Sequence, residues 1–275
     1  MKISEIIEKI EKWHEPFEKK EGMPGRDGIL CGNPDTECTG IAVTVVADFD
    51  VLVRAKEKGL NLIITHESIF YGEKDRYPAV YQEKKRFIEE NGIVVYRDHD
   101  RIHGNGIPFF PVRKTNDYIF YGIMKELGWE KYQEKDPMKP VCYEIPEVKA
   151  RDLARQLMET FDVTGMRVVG NLDATIRKVC FIEHVTGGKG DLGKLPLAEE
   201  YDALIPLEIC DYTVAAYVKD ESYLHHNKVI FEMGHFNVEQ LGMKYMLKWL
   251  PEAIGSDELR IEFVPAKDSF QYIER

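Results

Sequence analysis

The sequence predicts an α/β fold made of two packed subdomains. Short apolar runs with the length of buried strands alternate with longer segments whose apolar residues recur at helical spacing. Two of the helical segments in the first half end at a glycine, which commonly terminates a helix. The 275 residues are 44% hydrophobic and 31% charged, a composition that supports a substantial core and excludes a disordered chain.

The first half of the chain predicts a parallel sheet. After an amphipathic N-terminal helix and a loop, residues 39–47 predict a buried strand, 48–59 a helix and 61–65 a second strand. This is a β-α-β unit. A further helix at 77–90 and a short strand at 93–96 continue the alternation, so we expect neighbouring strands to run parallel.

The second half predicts a comparable set of elements. Strands are predicted at 140–145, 177–182, 202–207 and 228–233, with one more strand in the tail after residue 260. Helices are predicted at 117–127, 148–161, 212–218 and 234–250. Pro146 precedes the second of these helices, a position at which proline is tolerated near a helix start.

Charge and composition restrict the class of partner. The formal net charge of −11 disfavours nucleic acid as a main partner, because a polyanion would be repelled over most of the surface. No stretch approaches the roughly 20 apolar residues that span a bilayer, and the N-terminus lacks a basic segment followed by an apolar one. Five scattered cysteines without a CxxC pair indicate reduced thiols. We therefore expect a cytoplasmic protein that does not contact membranes.

Four of the eight histidines lie at the ends of three predicted strands. His66 and Glu67 follow the strand at 61–65, His99 and His103 follow the next one, and His235 follows a third. Open α/β sheets bind ligands beyond the carboxyl ends of their strands. Imidazole and carboxylate groups bind zinc, iron or manganese when a fold brings several of them together. The pattern therefore indicates a divalent metal site.

Glu239 strengthens this interpretation, because it follows His235 by four residues and shares one face of the predicted helix. Taken alone, such a pair is more often a surface contact than a site. A common site also requires His235 to reach His66. This requirement predicts a discontinuous metal-binding subdomain of residues 1–135 and 228–275, with 136–227 inserted as a second subdomain.

Residues 29–71, in which the predicted strand at 61–65 runs into His66-Glu67, resemble the N-terminal signature of the Nif-three-like dinuclear metal centre family, whose members include GTP cyclohydrolase 1 type 2 homologues. The segment YRDHDRIHG, at 96–104, and the Gly-His pair before Glu239 resemble two further family motifs. The family has a second histidine where this chain has Glu67, and an aspartate where it has His103. These departures are complementary, because three histidines and two carboxylates are retained.

The resemblance implies a dinuclear centre and a hexameric assembly. It implies that two divalent ions, zinc, iron or manganese, are bound by five ligands: His66, Glu67, His103, His235 and Glu239. The leading hypothesis is a metal-dependent hydrolase that acts on a small anionic or nucleotide-like substrate. His99 would be its catalytic proton shuttle, because an ordinary histidine titrates near neutral pH.

Several alternatives remain open at this stage. Asp98 or Asp100 could replace His103 as the ligand, and His184 follows a strand and could face the same cavity. The glycine-rich segment 187–193 could bind an anion through its backbone or form a simple turn. The rival to a hydrolase is a non-catalytic metal-binding, metal-storage or regulatory protein.

Overall fold

The computed structural model of the chain describes residues 1–17, 25–71, 78–104, 117–136, 139, 141–225 and 227–273. These residues form a mixed α/β fold with two five-stranded sheets, which confirms the predicted class. No helix among them is long and apolar enough to cross a membrane. The expected cytoplasmic location stays a prediction.

The chain divides into two compact units. The first unit comprises Met1–Gly122 and Gly242–Lys267, and the second comprises Ile123–Leu241 and Asp268–Arg275. The predicted division into 1–135 with 228–275, and 136–227, stays a prediction.

Helices occur in both units. The described residues include eight α-helices: α1 (Ile3–Trp13), α2 (Phe49–Glu57), α3 (Ala79–Glu90), α4 (Tyr118–Leu127), α5 (Ala150–Phe161), α6 (Leu195–Glu200), α7 (Val214–His225) and α8 (His235–Ile254). Two of the three boundaries between the units fall inside α4 and α8, and the third lies between Lys267 and Asp268.

The sheet of the first unit is mostly parallel. Its strands are β1 (Gly28–Cys31), β2 (Ile41–Thr44), β3 (Leu62–Thr65), β4 (Val94–Arg97) and β10 (Ile261–Phe263). They lie in the order β1-β4-β3-β2-β10, and the β1–β4 pair is antiparallel whereas the other three pairs are parallel. All eight residues of β2 and β3 are buried, as expected for central strands covered on both faces. The predicted parallel arrangement of β2, β3 and β4 is confirmed.

The sheet of the second unit has a parallel centre and antiparallel edges. Its strands are β5 (Cys142–Lys149), β6 (Arg167–Gly170), β7 (Thr175–Ile182), β8 (Ala203–Pro206) and β9 (Val229–Glu232). The order is β5-β7-β8-β9-β6, with β7, β8 and β9 mutually parallel and β5 and β6 antiparallel to their neighbours. The carboxyl ends of three adjacent strands therefore lie at one edge.

The predicted helix at 148–161 begins two residues too early. Val148 and Lys149 still belong to β5, where they pair with β7, and the helix starts at Ala150. Pro146 lies within this edge strand, inside the irregular register between Glu144 and Val148. Proline lacks the backbone N–H that regular ladder pairing uses. It is tolerated here because the irregular part of an edge strand does not need that donor.

Candidate metal centre

His66 and His99 follow two neighbouring parallel strands of the first unit. Thr65, the last residue of β3, accepts a hydrogen bond from the Asp98 backbone N–H at 3.0 Å, so pairing continues just past the end of β4. His66 comes directly after β3, and His99 lies two residues after β4. Their rings stack with centroids 4.4 Å apart and planes 6° apart. Strand pairing thus places the two imidazoles face to face.

His103 completes a three-histidine group with His66 and His99. Its Nε2 atom lies 3.2 Å from Nε2 of His66, and its ring centroid lies 5.1 Å from that of His99. One ligand atom from each residue lies within 4.8 Å of the others, so the group could hold a metal ion. His66 and His99 are buried, at 0% and 6% exposure, and are shielded from bulk water.

The Nδ1 atoms of the three-histidine group all lie beside oxygen atoms. The three contacts are His66 with the Asp98 carbonyl at 3.1 Å, His99 with Asp100 Oδ1 at 3.2 Å, and His103 with Asp117 Oδ2 at 2.8 Å. An imidazole that donates from Nδ1 keeps a lone pair on Nε2 when it is neutral. Metal-binding histidines commonly hold their second nitrogen in this way.

The contact between the Nε2 atoms of His66 and His103 is informative. Two lone pairs 3.2 Å apart repel each other unless a proton or a cation lies between them. In a tetrahedral zinc site with Zn–N bonds of about 2.0–2.1 Å, two nitrogen ligands are about 3.3 Å apart. The observed separation therefore suits two ligands of one ion.

His99 is held in its neutral form. Burial, together with the nearby His66 and His103 and the positive charges of Arg26 and Arg97, lowers the pKa of His99 far below its ordinary value. Arg26 Nη1 donates to His99 Nε2 at 3.2 Å. A neutral imidazole with an accepting Nε2 has the protonation state that a metal ligand requires.

Glu67 and two arginines lie beside the three-histidine group. Glu67 Oε1 is 3.7 Å from His99 Nε2, and Glu67 Oε2 accepts a hydrogen bond from Arg97 Nη2 at 2.9 Å. Arg26 Nε donates to Asp100 Oδ1 at 2.6 Å, and its side chain is 56% exposed. Glu67 therefore provides one carboxylate near the imidazoles, and Arg26 provides an exposed guanidinium that could bind an anion.

The alternative ligands Asp98 and Asp100 have other partners. Asp98 Oδ2 contacts His14 Nε2 at 3.1 Å, and both side chains are completely buried. Asp100 accepts two hydrogen bonds from Arg26. Neither carboxylate belongs to a residue group that could hold a metal ion among the described parts of the chain.

His235 and Glu239 belong to the second unit, where Glu239 Oε2 lies 2.8 Å from His235 Nε2. On the other side of the ring, His235 Nδ1 lies 3.1 Å from Glu208 Oε2. Glu208 Oε1 in turn lies 2.8 Å from His184 Nδ1. His184, Glu208 and His235, which we call the second-unit group, could hold a metal ion.

Sequence reasoning missed Asp117 and Glu208. Asp117 immediately precedes the apolar helix α4, a position that indicates an N-cap, but nothing local links it to His103. Glu208 follows β8 by two residues, so the strand-end argument that selected the histidines would also have selected this carboxylate.

The glycine-rich segment forms a 3₁₀ helix over Lys189–Lys194. Asp191 is buried there, and its Oδ2 accepts hydrogen bonds from the Gly187 backbone N–H at 2.7 Å and from Thr213 Oγ1 at 3.0 Å. A buried carboxylate in this position would repel an anion. The structure therefore favours the turn over the anion-binding loop.

Comparison with known proteins identifies relatives along the whole chain. The family model for Duf34/NIF3 (NGG1p interacting factor 3) matches residues 1–269. A Clostridium perfringens protein named GTP cyclohydrolase 1 type 2 homolog is 24% identical over 286 residues, covering 99% of this chain and 100% of that protein.

Two solved structures share the fold. Staphylococcus aureus hypothetical protein SA1388 has a TM-score of 0.72 at 17% identity, and a Bacillus cereus protein related to NIF3 has a TM-score of 0.70 at 15% identity. Each comparison covers 99% of both chains.

Proposed function

Since this chain belongs to the Duf34/NIF3 family, we propose that it is a divalent-metal protein that hydrolyses a small anionic substrate. The observation that carries the proposal is the three-histidine group: its imidazoles lie within ligand distance of one another, and each holds Nδ1 on an oxygen. The name GTP cyclohydrolase 1 type 2 homolog, carried by the C. perfringens relative, supports a nucleotide-like substrate.

The dinuclear set expected from the family resemblance is part of this proposal. It consists of His66, Glu67, His103, His235 and Glu239. Within the first unit, support comes from the short Nε2 separation between His66 and His103. Within the second unit, it comes from the contact between His235 and Glu239. Imidazole and carboxylate ligands of this kind suit zinc, iron or manganese.

A bound divalent ion would supply a Lewis acid that polarises the substrate and lowers the pKa of a coordinated water. The protein residues around the three-histidine group hold and orient its ligands. Asp117 fixes the ring of His103 through Nδ1, and the Asp98 carbonyl does the same for His66. Arg26 offers an exposed positive charge beside His99, where an anionic group of the substrate would bind.

His99 has two possible roles in this site. As a proton shuttle it would move a proton through Nε2, whereas as a ligand it would donate the lone pair of that same atom. Its neutral, buried state and its place in the three-histidine group support the ligand role. Replacing His99 with alanine distinguishes the two roles. A ligand role predicts loss of metal, and a shuttle role predicts retained metal with reduced turnover.

Elemental analysis combined with hydrolytic assays tests the proposal. The purified protein, with and without a chelator, is assayed against nucleoside triphosphates, phosphate esters and cyclic amides. We expect bound metal and chelator-sensitive hydrolysis. His66→Ala and His103→Ala should each lose the hydrolysis and at least one metal ion per chain, whereas the matched control Glu8→Gln, an exposed position on α1, should retain both. Full metal content in both histidine variants would contradict the proposal.

The alternative function is non-catalytic metal storage, delivery or sensing. It shares the same ligands, so metal content alone does not separate it from hydrolysis. Three protein ligands leave the fourth position of a tetrahedral ion open, which favours catalysis. Bound metal without chelator-sensitive turnover on any substrate of the panel would favour the alternative.

A further inference from the structure

The second-unit group brings together two residues, His184 and Glu208, that have no part in the proposed hydrolase. We propose that His184, Glu208 and His235 form a further divalent metal site, which shares no residue with the three-histidine group. The proposal does not rest on the hydrolytic function, because all three residues lie in the second unit and only His235 also belongs to the expected dinuclear set.

Sheet topology explains why these residues converge. His184 follows β7 by two residues, Glu208 follows β8 by two, and His235 follows β9 by three. The three strands are adjacent and parallel, so their carboxyl ends deliver the three side chains to one edge. This is the arrangement in which α/β sheets bind ligands.

The backbone also fixes two of the loops relative to each other. The Val185 N–H donates to the Glu208 carbonyl at 3.0 Å, and the Cys210 N–H donates to the Val185 carbonyl at 2.9 Å. These bonds form an isolated parallel bridge between Val185 and Ile209, beyond the ends of β7 and β8. His184 and Glu208 are therefore held opposite each other by main-chain pairing.

The ligand atoms have the spacing of a coordination shell. Glu208 offers one carboxylate oxygen to each histidine, at 2.8 Å from His184 Nδ1 and 3.1 Å from His235 Nδ1. Neighbouring ligands are about 3.0 Å apart in an octahedral site with bonds of about 2.1 Å, and about 3.3 Å apart in a tetrahedral zinc site. Small movements would suffice for all three to bind one ion.

Charge provides a second, independent argument for a cation. His235 faces a carboxylate at both ring nitrogens, Glu208 at Nδ1 and Glu239 at Nε2, and Glu239 is 2% exposed. Two carboxylates on one imidazole concentrate negative charge at the ring, and a cation at Nδ1 balances it. A proton or a divalent ion can be that cation, and the metal stoichiometry measured below distinguishes them.

The ligand set and its exposure indicate the kind of ion. Two imidazoles and one carboxylate suit zinc, manganese or iron rather than calcium or magnesium, which bind oxygen ligands. His184 is 51% exposed, so solvent can reach the site and complete the coordination. We therefore expect an ion that exchanges with solution more readily than one bound by the buried imidazoles of the first unit.

A purely structural role for Glu208 gives a different expectation. In that case the carboxylate would only orient His235, and removing such an outer partner would weaken metal binding by about 10–100-fold without changing the number of ions bound. A ligand role instead predicts that one ion per chain is lost. Stoichiometry therefore separates a metal site from a positioning contact.

The experiment measures zinc stoichiometry and affinity for the full chain and its variants. His184→Ala and Glu208→Gln are compared with Glu183→Gln, an exposed neighbouring carboxylate outside the group. We expect the first two variants to lose one zinc ion per chain, or to bind it more than ~100-fold more weakly, which exceeds the cost of an outer partner. Glu183→Gln should bind like the wild type.

A second measurement isolates the site. Cobalt(II) added to the double variant His66→Ala/His103→Ala should still give a visible absorption band, and adding His184→Ala should abolish it. Unchanged zinc stoichiometry in both His184→Ala and Glu208→Gln, or a cobalt band unaffected by His184→Ala, would overturn this proposal. The proposed function fails on a different result, namely full metal content in the His66 and His103 variants. Circular dichroism confirms that each variant is folded.

Discussion

One imidazole of the three-histidine group is held by a backbone carbonyl and the other two by aspartate carboxylates. His66 donates to a backbone carbonyl, His99 lies beside the carboxylate of an adjacent loop residue, and His103 donates to Asp117. Asp117 also accepts hydrogen bonds from two backbone N–H groups at the start of α4, each at 3.0 Å. One carboxylate thus serves as a helix cap and as the orienting partner of a candidate ligand.

This double role predicts the effect of Asp117→Asn. Asparagine caps helices as well as aspartate does, so the free energy of unfolding should change by less than about 0.5 kcal/mol. The carboxylate beside His103 is lost, so metal affinity should fall by about 10–100-fold. Zinc titration and denaturant unfolding measure the two effects. Asp152→Asn, an exposed position in α5, is the control, and equal affinities in the two variants would refute the orienting role.

The exchanged positions 67 and 103 should be energetically coupled. Replacing Glu67 with histidine alone leaves four histidines and one carboxylate in the expected set and removes the partner of Arg97. The double change Glu67→His/His103→Asp restores three histidines and two carboxylates. We therefore expect the single changes to weaken metal binding and the double change to recover much of it.

Metal stoichiometry and affinity of both single variants and the double variant measure this coupling. Losses that simply add would show that the two positions act independently. A His103→Ala variant with normal metal binding would remove His103 from the ligand set, and Asp98 or Asp100 would have to be reconsidered.

At the scale of elements, helices α4 and α8 approach closely within the first unit. A Cβ atom on Gly242 would lie 2.5 Å from the Ile119 carbonyl oxygen and 2.7 Å from Ile119 Cα. A Cβ on Gly122 would lie 3.1 Å from Gly242 Cα. The two glycines therefore allow backbone contact next to the start of α4, where Asp117 lies.

Gly242→Ala should consequently destabilise the protein. Alanine is intrinsically better than glycine in a helix by about 1 kcal/mol, so any net loss of stability reports the clash with the Ile119 backbone. We expect a decrease of about 1–3 kcal/mol in the free energy of unfolding, measured by denaturant titration. The control is Gly190→Ala, where a Cβ would meet nothing within 4 Å. Equal or greater stability of Gly242→Ala would contradict the prediction.

Elements differed in how well the sequence predicted them. The central strands β2, β3, β4, β7, β8 and β9 were predicted because buried parallel strands are continuous apolar runs. The edge strands β1 and β6 were missed, since their mixed burial patterns do not form a continuous apolar run. The six-residue helix α6 was missed because it is too short to show helical periodicity.

At the scale of the whole molecule, the family resemblance predicts a homo-hexamer. Size-exclusion chromatography with light scattering at micromolar concentration should report about six times the chain mass of 31.8 kDa. Metal removal by a chelator provides a companion measurement, because it shows whether assembly depends on the metal. A monomer in the metal-loaded protein would refute the hexamer.

The sequence by itself determined the α/β class, the central strands, the family and the histidines at the strand ends. The class and the strands follow from local periodicity, because burial on both faces demands continuous apolar runs, and the histidines were selected because the residue after a strand lies at the sheet edge. The family follows from the resemblance of three sequence motifs. Local pattern therefore sufficed to predict that His66 and His99 lie at one edge.

Only the tertiary structure decided which side chains meet there. Asp98 and His99 are adjacent in sequence, yet the Asp98 carboxylate contacts His14, 84 residues away, whereas His99 joins the three-histidine group. Likewise Glu208 lies between two histidines that are 24 and 27 positions from it. Periodicity places a residue at a strand end, but the direction and partner of its side chain depend on packing between segments distant in the chain.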